Sequence, residues 1–212
     1  MFRVQREELV DEITRKGITD LAVIKAIGIV PREKFIEKTL HHMAYKDVAL
    51  PIGYDQTISQ PYTVAFMTQL LNIKKPRMKI LEIGTGSGYQ AAVLFEMKAD
   101  VYSIERNIDL HHRATKLFDK IGIRVHAKYG DGTIGWKEFA PFDGIIVTAG
   151  SPTIPQKLKE QLAVGGRMII PVGDRSSQKL YLLKKIAESD FESEIIPEFS
   201  FVPLIGREGW KK

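Results

Sequence analysis

The spacing of hydrophobic and polar positions changes once, about a third of the way along the chain. Before that point, apolar residues within 4–13 recur at helical intervals, and Gly17 marks the end of that run. Asp20 can cap a second helix, and residues 61–71 have the apolar spacing of a third. Residues 45–61 show no regular period. We therefore predict a long irregular loop there, of the kind that often carries function.

Beyond the first third, short apolar runs alternate with stretches of helical spacing. Strands are predicted at 79–83, 101–104, 124–128, 143–147 and 167–170, helices through 91–94, 110–121 and 155–162, and two further β-rich segments at 180–183 and 195–201. This alternation predicts an α/β fold in which a doubly wound, mostly parallel sheet carries helices on both faces. No helix separates the last two β-rich segments, so one of these C-terminal strands is predicted to be antiparallel.

The length of 212 residues fits one domain over 1–212. We predict that residues 1–75 supply the N-terminal helices and the irregular loop, and that 76–212 form the sheet core. The chain has no cysteine, which excludes disulfides, thiolate metal sites and a cysteine nucleophile, and which favours a reducing compartment. The histidine pairs at 41–42 and 111–112 are adjacent on predicted helices and do not face each other, so no metal site is predicted.

Charge and hydropathy exclude further classes of protein. The 31 Lys and Arg against 26 Asp and Glu give a net charge of +5, but these basic residues are spread along the chain. That distribution indicates a solvated surface rather than a nucleic-acid site. The first residues are charged where a signal peptide needs an apolar core, and no run approaches the ~20 apolar residues of a membrane span. We expect a cytoplasmic monomer that binds neither nucleic acid nor membrane.

A glycine-rich loop joins the first predicted strand to the helix that follows it. Its glycines are Gly84, Gly86 and Gly88, so the third comes one residue earlier than in the G-x-G-x-x-G dinucleotide motif. No Gly-Lys-Ser/Thr follows, which excludes a phosphate loop of the Walker type. Glycines at this place let the backbone turn sharply and approach a ligand. The alternative is a tight turn without a ligand.

Three carboxylates are expected at the edge of the sheet that carries this loop. Glu105 ends the second strand, where an acid accepts hydrogen bonds from ribose hydroxyls; alternatively it is an acid near the cap of the next helix. Glu82 lies within an apolar strand, where burial is costly without a partner, so it either holds a cationic ligand group or pairs with a lysine. Asp131 follows the third strand and is either a ligand-binding acid or a turn residue. Three acids suit a cationic nucleoside such as S-adenosyl-L-methionine.

With this glycine loop and these three acids, the chain resembles the class I methyltransferases. Amino-nitrogen methylases carry an Asn/Asp-Pro-Pro-aromatic loop where residues 148–152 read Thr-Ala-Gly-Ser-Pro, and cytosine-C5 enzymes need a cysteine. Outside the glycine loop, Gln-Thr-Ile-Ser-Gln-Pro at 56–61 is similar to a specific motif of the protein-L-isoaspartate O-methyltransferase family. Further matches lie at 30–35, 49–53, 81–92, 101–106, 141–149, 165–167, 171–173 and 201–204. Asp55, where the family usually has glycine, and Gly150, where it more often has alanine, depart from the pattern.

The resemblance covers about residues 15–210 and implies a Rossmann-like methyltransferase fold. It implies transfer of a methyl group from S-adenosyl-L-methionine, with S-adenosyl-L-homocysteine as product, to the free carboxylate of isoaspartyl residues in damaged peptides and proteins. The ester then returns to a succinimide, which hydrolyses partly to normal aspartate. The residues carried over are Ser59 for catalysis; Glu82, Gly84, Thr85, Gly86, Ser87, Gly88, Glu105, Asp131, Gly132 and Thr148 for the cofactor; and Thr57, Ile58, Gln60, Val202, Pro203 and Leu204 for the substrate.

Ser59 is expected to orient the substrate and not to act as a covalent nucleophile. A carboxylate is already ionised at neutral pH, so its attack on a sulfonium methyl needs alignment and exclusion of water rather than a general base. We interpret the Ser59 hydroxyl as a donor that orients the substrate carboxylate; the alternative is that it caps the helix beginning at Pro61. Residues 202–204 are expected to offer a strand edge to the substrate backbone. A nucleic-acid methyltransferase and a binding protein without activity are the competing functions.

Overall fold

Three helices and one hairpin precede the sheet. The computed structural model describes residues 2–211, except the side chains of 197–199. Its first elements are α1 (Arg3–Arg15), α2 (Leu21–Ile29), β1 (Leu50–Gly53), β2 (Gln56–Ile58) and α3 (Pro61–Leu71), with 3₁₀ turns at Arg32–Phe35 and Lys38–Met43. The Asp20 side chain accepts from the N–H groups of Ala22 and Val23, which confirms the predicted cap. The prediction of an irregular loop is wrong over 50–58, where β1 and β2 pair antiparallel.

Seven strands form the main sheet. They are β3 (Lys79–Ile83), β4 (Asp100–Glu105), β5 (His126–Tyr129), β6 (Phe142–Val147), β7 (Leu162–Gly173), β8 (Gln178–Lys185) and β9 (Phe191–Phe199). Their order is β5-β4-β3-β6-β7-β8-β9. Strands β3 to β7 pair in parallel, and β8 is antiparallel to both of its neighbours. The predicted α/β sheet with one antiparallel C-terminal strand is thereby confirmed.

The helices between the strands are α4 (Tyr89–Glu96), α5 (Ile108–Ile121) and α6 (Gln156–Glu160). The predicted helix over 155–162 is too long, because Leu162 already pairs with Phe142 as the first residue of β7. The strand predicted at 124–128 begins two residues later and ends one residue later, and the strands predicted at 167–170 and 180–183 extend further at both ends. These differences are at element ends, where neighbouring strands rather than local pattern decide the boundary.

The two faces of the sheet are covered by different helices. Ile80 of β3 packs into an apolar cluster with residues of α3, α4 and α5, whereas Leu81 and Ile83 belong to the opposite cluster, which contains Leu158 of α6. A third cluster joins α1, α2, the hairpin, α3 and α4. Residues 1–75 thus share a core with the start of the sheet region, and the division at 75/76 stays a prediction. Among residues 2–211, no helix is long and apolar enough to cross a bilayer.

Candidate functional site

A cavity of about 390 Å³ opens at the carboxyl edge of β3, β4 and β6. Its volume lies within the range of small-molecule sites, and the carboxyl edge of a doubly wound sheet is where such sites occur. The walls come from the hairpin and the start of α3, from the glycine loop, from the ends of β4 and β6, and from the C-terminal segment. The main lining ranges are 54–59, 83–87, 104–107, 148–149 and 202–205.

The glycine loop has a geometry that requires glycine. Gly84, Gly86 and Gly88 all have positive φ, at 96°, 52° and 88°. A Cβ at Gly84 would lie 2.5 Å from Thr148 Oγ1, and one at Gly88 would lie 2.5 Å from Phe118 Cε1. Gly86 lines the cavity and a Cβ there would have only ordinary contacts. The first and third glycines therefore allow close packing, and the second one leaves the loop backbone open to the cavity.

Neighbouring polar side chains hold this loop in place. The Thr148 hydroxyl lies 3.0 Å from the Ile83 carbonyl oxygen and 2.8 Å from that of Gly84. Ser87 Oγ accepts from the N–H of Tyr89 at 3.3 Å, at the start of α4. Of the residues predicted here, Gly84, Thr85, Gly86, Ser87, Gly132 and Thr148 line the cavity. Gly88 does not line it and acts at the N-terminus of α4.

Glu105 joins the loop to the end of β4. Its carboxylate accepts from Gly86 N–H and from Asn107 N–H, both at 2.8 Å, and the residue lines the cavity while only 6% exposed. The cap of α5 is Asn107, whose side chain accepts from two amides of the first turn. Glu105 is therefore not the cap of that helix, and its buried carboxylate lies where the sequence predicts a ligand-binding acid.

Glu82 is fully buried and lies behind the cavity wall rather than on it. The Ser103 hydroxyl donates to one carboxylate oxygen, and Ser103 Oγ lies 2.5 Å from Thr85 Oγ1, so a hydroxyl chain leads from Glu82 to the cavity. Its other oxygen has no partner among the described residues. Burial, together with the charge of Glu105, raises the pKa of Glu82 to about 8, against the opposing effect of the Ser103 hydroxyl.

Two predictions about the buried acids need correction. No lysine pairs with Glu82 within residues 2–211, because its side chain lies on the face covered by α4. Asp131 does not line the cavity; one oxygen accepts from Thr133 N–H and Oγ1 at 2.9 and 2.7 Å, and the other from Arg207 N–H at 2.8 Å. These contacts fit the alternative given for Asp131, that of a turn residue. A role of either acid toward a cofactor stays a prediction.

The hairpin brings Ser59 to the cavity. Thr57, Ile58 and Ser59 line it, whereas Gln60 does not. The Ser59 hydroxyl makes no hydrogen bond within the part of the chain that the structure describes. The alternative that Ser59 caps α3 is wrong, because an N–H of the first turn, that of Tyr62, is accepted by Asp47 Oδ1 at 2.7 Å. Ser59 therefore presents a free donor.

The turn of the hairpin accounts for the glycine that the family usually has at position 55. Tyr54 and Asp55 have φ values of 56° and 55°, so both central residues of the turn are left-handed, a geometry for which glycine is favoured. Asp55 is exposed and lines the cavity. Arg113 Nη2 of α5 donates to the Ile52 carbonyl at 2.6 Å and fixes the hairpin over the loop. The other departure, Gly150, has a Cβ position 2.9 Å from Gln178 Cδ, so alanine would displace that side chain.

The C-terminal segment lines the cavity but is not a free strand edge. Val202, Pro203 and Leu204 are in the wall. However, Gly150 N–H donates to the Val202 carbonyl at 2.8 Å, and Leu204 N–H donates to the Gly150 carbonyl at 2.7 Å. On this side the segment is therefore already paired with Gly150. Within the described residues, the Val202 N–H and the Pro203 carbonyl have no backbone partner, and pairing of the other side with the substrate stays a prediction.

Several cavity residues were given no role by sequence reasoning. Thr63 and Met67 lie four residues apart on one face of α3, so helical spacing from Ser59 could have indicated them. Seven others lie in stretches that match the family but were assigned no role: Gln56, Ile83, Tyr89, Gln90, Ile104, Arg106 and Ala149. The remainder are Tyr54, Asp55, Val64, Asn107 and Ile205, and their placement depends on contacts between elements far apart in sequence.

Comparison with known proteins yields one consistent family. The family described as Protein-L-isoaspartate(D-aspartate) O-methyltransferase (PCMT) matches residues 4–209. The Protein-L-isoaspartate O-methyltransferase of Pelodictyon phaeoclathratiforme is 51% identical over 206 residues, which are 97% of this chain and 93% of that protein. A solved protein-L-isoaspartate O-methyltransferase superposes with a TM-score of 0.87 at 31% identity and covers 96% of this chain and 67% of the solved one.

A second solved structure contains a ligand. It comes from Plasmodium falciparum, is named for the protein-L-isoaspartate O-methyltransferases and is in complex with S-adenosyl-L-homocysteine. It superposes with a TM-score of 0.82 at 26% identity and covers 94% of this chain and 98% of that one.

Proposed function

We propose that this chain, which belongs to the protein-L-isoaspartate(D-aspartate) O-methyltransferase family, holds its cofactor on the glycine loop and its substrate against the hairpin of one cavity. The reaction is the S-adenosyl-L-methionine-dependent methylation of isoaspartyl residues, which initiates their repair. The proposal assigns the roles of cofactor binding and substrate binding to particular residues of the cavity. The observation that carries it is that the open backbone of Gly86 and the unbonded hydroxyl of Ser59 line the same cavity.

The residues of the cavity fit S-adenosyl-L-methionine. Gly84 lets the loop pack against Thr148, Gly86 leaves the loop backbone open to the cavity, and the buried carboxylate of Glu105 offers an acceptor for ribose hydroxyls. When bound, the cofactor supplies a methyl group on a sulfonium. Thr85, Ser87, Gly132 and Thr148 complete the cofactor side in this proposal, with Glu82 acting through Ser103 and Thr85.

The hairpin residues act on the substrate. Ser59 donates its hydroxyl hydrogen to the isoaspartyl carboxylate and fixes the direction of its lone pairs, and Thr57 and Ile58 limit the access of water. No general base is needed, because the carboxylate is ionised at neutral pH. Val202, Pro203 and Leu204 contact the substrate backbone with their side chains and with the free Pro203 carbonyl. Gln60 supports the loop from outside the cavity.

We expect the purified protein to methylate an isoaspartyl peptide and not its aspartyl isomer. The two peptides have the same atoms and differ by one methylene in the backbone, so the site must distinguish them by the position of the carboxylate. Incorporation of labelled methyl groups into both synthetic peptides measures this selectivity, with an asparaginyl peptide as the blank. Equal turnover of the two isomers would exclude the repair activity even if the cofactor binds.

Glu105→Ala should weaken binding of the cofactor by about 10–100-fold. A hydrogen bond to a charged group contributes about 1.5–3 kcal/mol, and the variant also loses the acceptor of Gly86 N–H. Calorimetric titration with S-adenosyl-L-homocysteine measures the affinity. Glu8→Ala, an exposed position of α1, is the control and should bind as the wild type does. An unchanged affinity in folded Glu105→Ala protein would remove Glu105 from the site.

The nucleic-acid methyltransferase that the sequence left open as an alternative is not supported by the family match or by any observation on the described residues. That the protein works as a monomer in the cytoplasm, without nucleic acid, stays a prediction. Sedimentation of the purified protein measures whether it is a monomer.

A further inference from the structure

Arg32, in the 3₁₀ turn Arg32–Phe35, is fully buried and lacks a carboxylate partner among the described residues. Its Nη2 donates to the Val48 carbonyl at 3.3 Å, its Nε and Nη1 have no well-formed hydrogen bond within residues 2–211, and interaction with the Tyr89 hydroxyl favours the charged guanidinium. Burial lowers the pKa of the guanidinium from its ordinary value. A buried cation without an ion pair costs several kcal/mol, so stability alone does not explain its presence.

The nearest acids are occupied by other groups. Asp47 accepts from Tyr62 N–H and pairs with Lys16 Nζ at 2.7 Å. Glu33 accepts from the hydroxyl of Tyr45. The guanidinium is stabilised instead by an aromatic ring, because Arg32 Cζ lies 4.8 Å from the ring centroid of Tyr89. A desolvated contact of this kind can contribute about 2 kcal/mol.

The two contacts of Arg32 join the two walls of the cavity. Val48 lies two residues before the hairpin that leads to Ser59, and Tyr89, which lines the cavity, is the first residue of α4, directly after the third glycine of the loop. The Tyr89 ring is also packed edge-on against Phe35, with centroids 5.5 Å apart. One rigid, planar group thus touches the base of the substrate hairpin and the end of the glycine loop.

We propose that Arg32 is a positioning residue, which sets the distance between the hairpin and the glycine loop and thereby the alignment of the carboxylate with the methyl group. This inference rests on the proposed function. It requires no contact between Arg32 and either reactant, since the residue acts through Val48 and Tyr89. A displacement of about 1 Å at a reacting centre can lower the rate by about 10²-fold, so small shifts of either wall are sufficient.

The test compares Arg32→Met and Arg32→Lys with Arg167→Met. Arg167 also donates to a backbone carbonyl, that of Leu70 at 3.1 Å, but lies on β7 outside the cavity wall. We expect Arg32→Met to remain folded, with a urea midpoint equal to or above that of the wild type, because replacing a buried charge by an apolar side chain is often neutral or stabilising. Its kcat per folded molecule should fall about 10–100-fold. Arg32→Lys keeps the charge but not the planar fork and should be intermediate, and Arg167→Met should stay within about threefold of the wild type.

The outcomes separate the inference from the proposed function. Wild-type turnover of the isoaspartyl peptide tests the function, and the Arg32 variants test the inference alone. A kcat of folded Arg32→Met within about threefold of the wild type would overturn the positioning role, and so would a loss of activity that only follows the lost folded fraction. If Arg32→Met does not fold, Arg32→Lys decides: reduced kcat in a folded protein supports the role, whereas full kcat or failure to fold refutes it.

Discussion

Replacing Ser59 by alanine is expected to lower kcat for an isoaspartyl peptide by roughly 10²–10³-fold. Loss of one positioned donor in a water-excluded site costs about 2.7–4 kcal/mol in the transition state. The Ser59 hydroxyl lines the cavity and has no partner within the described residues, so it is free to bind the substrate carboxylate. Binding of S-adenosyl-L-homocysteine should change little, because the proposed cofactor contacts lie on the opposite wall.

The stability of Ser59→Ala should remain within about 0.5 kcal/mol of the wild type, as for other substitutions that remove no native contact. A helix cap would cost about 1 kcal/mol, but Asp47 already accepts an N–H of the first turn of α3. Steady-state kinetics, calorimetry and urea unfolding on one preparation measure the three quantities. Ser193→Ala, at an exposed position of β9, is the matched control. A Ser59→Ala protein with near wild-type kcat would show that the hydroxyl does not orient the substrate.

The sheet could be predicted because its signal is local. Parallel strands buried on both faces are short apolar runs, and the glycine loop follows the first of them. The hairpin could not be predicted in the same way. Its strands have four and three residues, their register is broken by an irregularity after Pro51, and the turn uses Tyr54 and Asp55 instead of a sequence such as Asn-Gly.

The sequence predicted where the residues of the candidate site lie in the fold more reliably than where their side chains point. Glu105 ends a parallel strand, Asp131 follows one by two residues, and Glu82 lies one residue before the end of another, so all three are near the expected edge. Only Glu105 lines the cavity, because Glu82 faces α4 and Asp131 is bound by its own turn and by Arg207 N–H. Side-chain direction depends on alternation within the strand and on distant partners. The contact between Asp47 and Tyr62 N–H, which decides the cap of α3, is likewise formed between separate segments.

The burial of Glu82 makes the stability of the protein depend on pH. Glu82 is fully buried, the Ser103 hydroxyl donates to it, and no cation pairs with it within residues 2–211. Burial raises its pKa to about 8. In the unfolded chain the same group ionises near its ordinary value of 4.5. Between these values the unfolded state binds fewer protons than the folded state.

It follows that the wild-type protein should lose stability as the pH rises through this window. The contribution is fully present below about pH 4.5 and is lost progressively until about pH 8. Since one pKa unit corresponds to about 1.4 kcal/mol, the loss at pH 7 is at most about 3.5 kcal/mol. Glu82→Gln keeps the shape and the hydrogen bond with Ser103 but cannot ionise, so it should not show this loss.

Urea unfolding of both proteins between pH 5 and pH 9 measures the difference. The two free energies of unfolding should be similar near pH 5, and Glu82→Gln should become the more stable protein as the pH rises, by roughly 3 kcal/mol near neutrality. Glu8→Gln removes a carboxyl group from an exposed position of α1 and should follow the wild-type profile. Parallel profiles for wild type and Glu82→Gln would mean that Glu82 is already ionised in the folded protein. The cost of burying the Glu82 carboxylate would then have to be offset by cations that reach the cavity wall from solvent.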